Sequence, residues 1–298
     1  MNNNTKTVTI FGATGAQGAP VVREALAQGY KVRAVARDTQ KIRALHPEAE
    51  AIAADLSDEA ALTAALEGAD AAFLHFPRPE GPDDSQNWAA AFFGAAHKAQ
   101  LPLLVFVTGG PSGDRFPSSV IVDATTHGMN AVLNSGIRSI VLQSAIYLEN
   151  LQPELFLPGL RSEGRLDYPP TLRDLKVQWT SHIDQATLAV AALSRPDLAG
   201  QAFEIGTPDA LTGDELAELM SGWVERDVTF DPMSPEDFGK RIGDAFNSPG
   251  AAFALGDLYG SIAKLNGDAM AIKTDELEAT FNVKLTSVAD HIKAWPKG

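Results

Sequence analysis

Three glycines at intervals of three, Gly12, Gly15 and Gly18, stand in the run Val8-Thr9-Ile10-Phe11-Gly12-Ala13-Thr14-Gly15-Ala16-Gln17-Gly18. Residues 7–11 are β-branched and aromatic and read as a strand, and residues 19–28 read as a helix. The turn between them is the arrangement in which a dinucleotide pyrophosphate rests on the N–H groups of a helix N-terminus. Gly12 allows the sharp turn, Gly15 removes a Cβ where phosphate must approach, and Gly18 lets the helix pack closely on its strand. The spacing is G-x-x-G-x-x-G rather than G-x-G-x-x-G, so context carries the reading: the turn opens the chain, and 31–36 follows as a second strand. The competing reading is a glycine turn that binds nothing.

Further candidates stand where later strands end. Arg37 lies at the tip of the second strand, where an acidic residue would hold the ribose 2′-OH of NAD. A guanidinium there can stack on adenine and clamp a 2′-phosphate, with Lys41 one helical turn away, so NADP(H) is preferred and NAD(H) is retained as possible. Asp38 either caps the next helix or takes a ribose hydroxyl. Asp55 and Leu56 follow a third strand, 49–53; Asp55 can bind the adenine amino group while Leu56 packs on the ring, or Asp55 or Ser57 caps the helix 58–66. His75 ends a fourth strand, 70–77, and is either a half-buried structural histidine or a general acid. The proline-rich acidic segment 78–84 is expected to be a mobile flap over the nicotinamide end. Thr108, after the apolar strand 102–107, places a hydroxyl toward the nicotinamide or a substrate carbonyl. Phe76, Tyr147, Phe156 and Trp179 are candidate stacking surfaces or core. No metal-ligand set is assigned.

The elements that must position these residues alternate. Helices are expected at 87–99, 119–134 and 180–194, and strands at 137–143 and 201–206. This pattern predicts an α/β fold, a doubly wound parallel (Rossmann) sheet. Residues 1–150, completed by 180–206, form the dinucleotide-binding core; 151–179 and 207–298 form a smaller, mainly helical, substrate-facing lobe. Within that lobe, 153–173 is a Pro-, Gly-, Leu- and Arg-rich excursion. A capping-box start at Thr212 precedes a helix over 215–226, followed by a short strand, 227–230, and helices at 234–246, 251–265 and 274–281.

Composition narrows the function classes. The chain has 298 residues, 45% hydrophobic and 21% charged, which fits a globular protein with one large core and a lobe. A net charge of −14 repels nucleic-acid phosphate and anionic lipid, so neither direct nucleic-acid binding nor a membrane is expected. No apolar run is long enough to cross a bilayer and the start is polar, with no secretory segment. The chain has no cysteine, which excludes disulfide and thiolate chemistry and fits a reducing compartment; a cytoplasmic location is expected.

Several segments together resemble the NmrA-like branch of the atypical short-chain dehydrogenases. They are Thr9 to Gly18, Arg33-Ala34-Val35-Ala36-Arg37-Asp38, Ala54-Asp55-Leu56-Ser57-Asp58, and Asn134-Ser135-Gly136-Ile137 leading to Tyr147-Leu148-Glu149-Asn150. The stretch 281–295 looks like the family's final helix, so the likeness spans essentially the whole chain. The resemblance implies NADPH-dependent reduction of quinones, dyes or aromatic compounds, or a regulator that senses the cofactor without turning it over. It implies Gly12, Thr14, Gly15, Ala16, Gln17, Gly18, Arg37, Lys41, Asp55, Leu56, His75, Thr108 and Tyr147 as cofactor contacts.

One departure bears on catalysis. Typical short-chain dehydrogenases carry Tyr-x-x-x-Lys on the helix after the fifth strand, where the tyrosine protonates the carbonyl. Here that helix runs Val120-Ile121-Val122-Asp123-Ala124-Thr125-Thr126-His127-Gly128-Met129, without tyrosine or lysine. By the resemblance, Thr125 falls where many reductases of this branch have Lys or His, and Met129 where they have Glu. The catalytic residues are therefore unassigned, with His127, Thr108 and Tyr147 as candidates; His127 is otherwise a surface histidine. Hydride transfer to a quinone, dye or aromatic acceptor needs less help, because the delocalised acceptor stabilises the charge itself. Two functions remain open: an NAD(P)H-dependent oxidoreductase on a small, flat, electron-poor acceptor, and a redox sensor acting through a protein partner. A nucleotide-sugar epimerase needs the missing tyrosine.

Overall fold

The computed structural model describes residues 5–79, 81, 83–152 and 155–296. In chain order the strands are β1 Thr7–Phe11, β2 Lys31–Ala36, β3 Glu50–Ala53, β4 Ala71–His75, β5 Leu104–Val107, β6 Ser139–Ser144, β7 Ile146–Tyr147, β8 Arg165–Leu166, β9 Trp179–Thr180, β10 Ala202–Ile205 and β11 Thr229–Phe230. The helices are α1 Gly18–Ala27, α2 Thr39–Leu45, α3 Glu59–Leu66, α4 Asp84–Lys98, α5 Val120–Leu133, α6 Leu160–Glu163, α7 His182–Ala192, α8 Gly213–Val224, α9 Pro235–Ala245, α10 Pro249–Ile262, α11 Thr274–Phe281 and α12 Val288–Ala294.

Seven strands form one parallel sheet in the order β10-β6-β5-β4-β1-β2-β3. The chain runs outward from β1 to β3, then crosses back to β4. The order thus reverses between β1 and β4, and the crevice over the carboxyl ends at such a point is where doubly wound sheets take ligands. Central strands are covered on both faces, which is why β5 is apolar and buried at every position. It begins at Leu104 rather than Pro102 because proline cannot donate to a ladder.

Helices cover both faces. Val8 and Ile10 pack with Val21 and Val22 of α1 and Leu188 and Ala189 of α7. On the other face Phe11 and Leu74 pack with Leu62 of α3 and Phe92 of α4. The Phe11 and Phe92 rings meet edge to face, with centroids 5.3 Å apart. A third cluster, around Tyr168, Trp179, Phe238 and Tyr259, gathers buried residues of α8, α9, α10 and α12 with Phe116 and with Val122 of α5.

The C-terminal part differs from expectation in two respects. Leu277, Phe281 and Leu285 pack with the sheet-face cluster around Val8, not with the lobe cluster. The family-like final helix over 281–295 is not continuous: α11 ends at Asn282, in the left-handed region at φ 52°, and α12 starts afresh on the Ser287 cap. The excursion at 153–173 contains α6 and β8, which pairs with β11; its first residues, Pro153 and Glu154, lie outside the described residues. The capping box at Thr212 is formed, with the Thr212 hydroxyl accepting from Glu215 N–H and the Glu215 carboxylate accepting from Thr212 N–H. Among the described residues no helix is long and apolar enough to cross a membrane.

Candidate functional site

The glycine turn is built as its residue types require. Gly12 lies at φ +68°, a left-handed backbone that disfavours any Cβ. A Cβ on Gly18 would stand 2.3 Å from Gly12 O, so the opening of α1 can approach β1 only as glycine. Gly15 N–H donates to Gly12 O at 2.9 Å, and Ala13 N–H reaches across to Val35 O of β2 at 3.1 Å. A buried histidine fixes the turn from behind: His46 Nε2 stands 3.0 Å from Ala13 O. Its burial, and then Arg23, hold the imidazole below its usual pKa against the Ala13 bond, so the neutral ring donates from Nε2. Neither a side-chain cap nor an acidic residue occupies the start of α1; Ala19 N–H is taken by Gly15 O and Pro20 has none, so an anion there would meet the positive end of the helix and the N–H groups of the turn before it.

A cleft of about 850 Å³ opens at this turn. It runs over the carboxyl ends of β1, β2 and β4, and its wall holds Gly12, Thr14, Gly15, Ala16, Gln17, Gly18, Arg37, Lys41, Asp55, Leu56 and His75. Eleven of the thirteen expected contacts are thus brought together; Thr108 and Tyr147 are not on this wall. Gln17 Oε1 is buried here without a hydrogen-bond partner among the described residues, a polar atom awaiting a ligand group. Volume, glycine cradle and orphaned amide oxygen fit a dinucleotide.

The acidic residues resolve as follows. Asp38 Oδ1 accepts from Gln40 N–H and Lys41 N–H and caps α2. Asp55 Oδ1 accepts from Ser57 N–H and Ser57 Oγ–H, and these bonds, aided by Arg37, hold its carboxyl below the usual range. The cap of α3 is neither Asp55 nor Ser57 but Asp58, whose Oδ1 accepts from Ala61 N–H. Arg37 and Lys41 are exposed, and among the described residues neither forms a salt bridge. A chain of net charge −14 therefore presents two cations at this rim.

Past the turn, the wall is completed by Pro77, which ends the expected fourth strand, by Arg78 and Asp84 of the expected flap, and by Asn87 and Trp88, which the sequence marks only as helical. Of that flap, Glu80 and Pro82 lie outside the described residues, and Asp84 is the first residue of α4. His75 lies at the end of β4 with Nδ1 3.3 Å from Val107 O, and a Cβ on Gly109 would strike its ring at 2.6 Å. Burial, seconded by the nearby His182, pushes its imidazole down to about 4 against the Val107 bond. His75 is therefore neutral near pH 7 and cannot act as the acid there.

The remaining candidates divide. The Thr108 hydroxyl donates to Gly110 O at 2.8 Å, so its proton serves its own loop. His127 is exposed on α5, away from the cleft wall. Tyr147 is buried; its hydroxyl donates to Gln185 Oε1 at 2.9 Å and lies 3.0 Å from Ser144 Oγ, and burial raises its pKa. That ring meets His182 at a 45° tilt with centroids 4.6 Å apart, and Tyr147 is not on the cofactor wall. Trp179 is fully buried and offers no stacking face, and Phe156 is half-buried against Tyr168 and Phe238. Phe76 is half-buried against Trp88 and Phe106.

A glycine turn at β1–α1 and a cleft over the β1–β4 reversal define a dinucleotide-binding α/β protein. The chain belongs to the NmrA-like family, whose model matches residues 4–292. It is 29% identical over 255 residues to the NAD(P)H azoreductase of Xenophilus azovorans, covering 85% of this chain and 86% of that protein. The crystal structure of triphenylmethane reductase from Citrobacter sp. superposes with a TM-score of 0.79 at 18% identity, covering 96% of this chain and 98% of that one. That of an NADPH-dependent quinone oxidoreductase from Escherichia coli, complexed with NADPH, gives 0.77 at 22%, with coverage of 96% and 98%.

Proposed function

We propose that this protein is an NAD(P)H-dependent oxidoreductase that reduces a small, flat, electron-poor acceptor such as a quinone or dye. The observation that carries the reading is the cleft itself: a glycine cradle, a buried unpartnered Gln17 Oε1 and two exposed cations, Arg37 and Lys41, at one sheet crevice. Its relatives named for NAD(P)H azoreductase and NADPH-dependent quinone oxidoreductase activity support the same class. Asp38 is engaged as a helix cap, which leaves Arg37 and Lys41 as the groups facing a 2′-substituent and favours NADP(H) over NAD(H).

Gly12, Thr14, Gly15, Ala16, Gln17 and Gly18 would hold the pyrophosphate, Arg37 and Lys41 the 2′-phosphate, and Asp55 and Leu56 the adenine. The bound cofactor supplies hydride. The protein's own part is to orient it, exclude water and bring the acceptor alongside. Because α5 carries neither tyrosine nor lysine, acceptors that spread negative charge over a conjugated system suit the site better than simple ketones. NADPH consumption across a panel of quinones, azo dyes and triarylmethane dyes, with calorimetry of all four nicotinamide nucleotides, tests this. Turnover of at least one acceptor with NADP(H) bound more tightly than NAD(H) is expected; tight binding without turnover of any acceptor points instead to a redox sensor.

A further inference from the structure

Trp88 of α4 stands on the wall of the cofactor cleft, half-buried. α4 starts past the carboxyl end of β4 and runs back along the sheet toward β5. Its Gly94 lies against Glu59, the first residue of α3, since a Cβ there would stand 2.7 Å from Glu59 Cδ. Glu59 Oε1 also pairs with Lys98 Nζ at 2.6 Å. Residues 84–93 of α4 therefore project past the start of α3, by about 15 Å at 1.5 Å per residue. That overhang, which carries Trp88, stands beside the segment leading into α3, whose Asp55, Leu56 and Ser57 line the same cleft. A dinucleotide crosses such a sheet at the reversal of strand order, with its adenosine on the β2–β3 side and its nicotinamide on the β4–β5 side. Trp88 is thus held on the adenosine side although α4 follows β4. Phe76 backs the indole, with ring centroids 6.3 Å apart and planes 26° from parallel, and Phe76 itself meets Phe106 of β5 at 5.7 Å. Phe76 and Leu56 pack on the same sheet-face cluster as Phe92 of α4. An aromatic surface seated on the core in this way has little freedom left to lose when a ligand covers it.

We propose that Trp88 is the stacking surface for the adenine ring of the bound dinucleotide and completes a base pocket with Asp55 and Leu56. The inference rests on the dinucleotide reading of the cleft. It adds a residue to the cofactor contacts that lies outside every segment in which those contacts were expected. The base needs such a surface. Asp55 spends Oδ1 on Ser57 N–H and Ser57 Oγ–H, which leaves Oδ2 for the exocyclic amine. Leu56 is half-buried and offers one aliphatic side chain. A purine presents two broad π faces, and stacking on an aromatic side chain covers one of them without asking for a hydrogen bond. Phe11, the other aromatic residue on this wall, is buried under the glycine turn and has no face to give.

The test uses the full-length protein, the variants Trp88→Ala and Trp88→Phe, and two ligands, NADPH and 2′,5′-ADP, which carries the adenosine half without the nicotinamide. Calorimetry gives affinities and tryptophan emission reports the ring itself. Trp88→Ala is expected to weaken both ligands by the same factor, about tenfold or more, and Trp88→Phe by no more than about threefold, because phenylalanine still stacks. In the wild type 2′,5′-ADP is expected to quench tryptophan emission. In Trp88→Phe that quench should vanish while binding persists, since Trp179, Trp223 and Trp295 are not on the cleft wall. A residue that only packs on Phe76 would not change emission in this way, and the Phe variant keeps the test decisive should the Ala variant fail to fold. Unchanged 2′,5′-ADP affinity in Trp88→Ala, a loss confined to NADPH, or a quench that survives in Trp88→Phe overturns the proposal. If the wild type binds both ligands and the variants bind them equally well, Trp88 fails alone; if the wild type binds neither, the dinucleotide reading fails and Trp88 with it.

Discussion

His46 Nε2 lies 3.0 Å from the carbonyl oxygen of Ala13, and through that bond the end of α2 braces the turn that receives the pyrophosphate. The imidazole is almost completely buried. Replacing it with alanine leaves the Ala13 carbonyl without its donor and opens a cavity behind the turn. His46→Ala is expected to lower stability by about 2 kcal/mol, counting the lost bond and packing, and to weaken NADPH several-fold while leaving the preference for NADPH over NADH intact. Urea unfolding and calorimetry check the two parts.

Gly18 offers a sharper test of the turn. A Cβ there would lie 2.3 Å from Gly12 O and 3.0 Å from Phe11 O, both backbone atoms that cannot rotate away. Gly18→Ala is expected to cost about 1–3 kcal/mol of stability and to weaken NADPH by about tenfold or more, because the displaced α1 N-terminus no longer points at the phosphates. Gly110→Ala, where a Cβ meets nothing within 4 Å, is the control and should leave NADPH affinity unchanged.

Arg37 and Lys41 carry the cofactor preference. A charge-assisted contact to a phosphate contributes about 1.5–3 kcal/mol, so Arg37→Ala is expected to weaken NADPH by roughly 10- to 100-fold and NADH by no more than about threefold. Calorimetric titration with both nucleotides decides it; equal losses contradict the 2′-phosphate role.

His75 predicts a pH dependence of stability. Its pKa is pushed down to about 4 in the folded protein, against about 6.5 in the unfolded chain. Below about pH 6.5 the unfolded chain binds a proton that the folded protein does not, so this stabilising contribution is complete above that pH. It is lost progressively as pH falls toward 4. The wild type is expected to lose on the order of 1–3 kcal/mol more than His75→Gln between pH 7 and 4. Denaturant unfolding at the two pH values measures the difference.

What could be read from the chain alone follows a physical divide. The turn, the Arg37 rim and the parallel sheet were legible because each depends on residues next to one another: a strand, its glycines and the helix they open. Thr212 and Glu215 belong to the same class, a cap written within four residues. His46 and Trp88 were not singled out as site residues, since nothing near them in sequence says that packing carries one behind the glycine turn and the other to the cleft wall. Tyr147 illustrates the reverse. The family resemblance implied a cofactor contact there, yet its hydroxyl is donated to Gln185, contributed by α7 38 residues on. Asp55 was a reasonable cap by residue type, but Asp58 has the backbone position to reach Ala61. The break after α11 turns on the backbone of Asn282, whose left-handed conformation is set by its surroundings.

The most direct measurement is an anaerobic single turnover. The protein is loaded with one equivalent of NADPH and mixed with a quinone or an azo dye in excess, and oxidised cofactor and reduced acceptor are both quantified. Stoichiometric appearance of NADP⁺ and of the two-electron-reduced acceptor, abolished or strongly slowed by Gly18→Ala, is the expected result. NADPH that binds tightly yet stays fully reduced beside every acceptor would contradict an oxidoreductase and leave a cofactor-binding sensor.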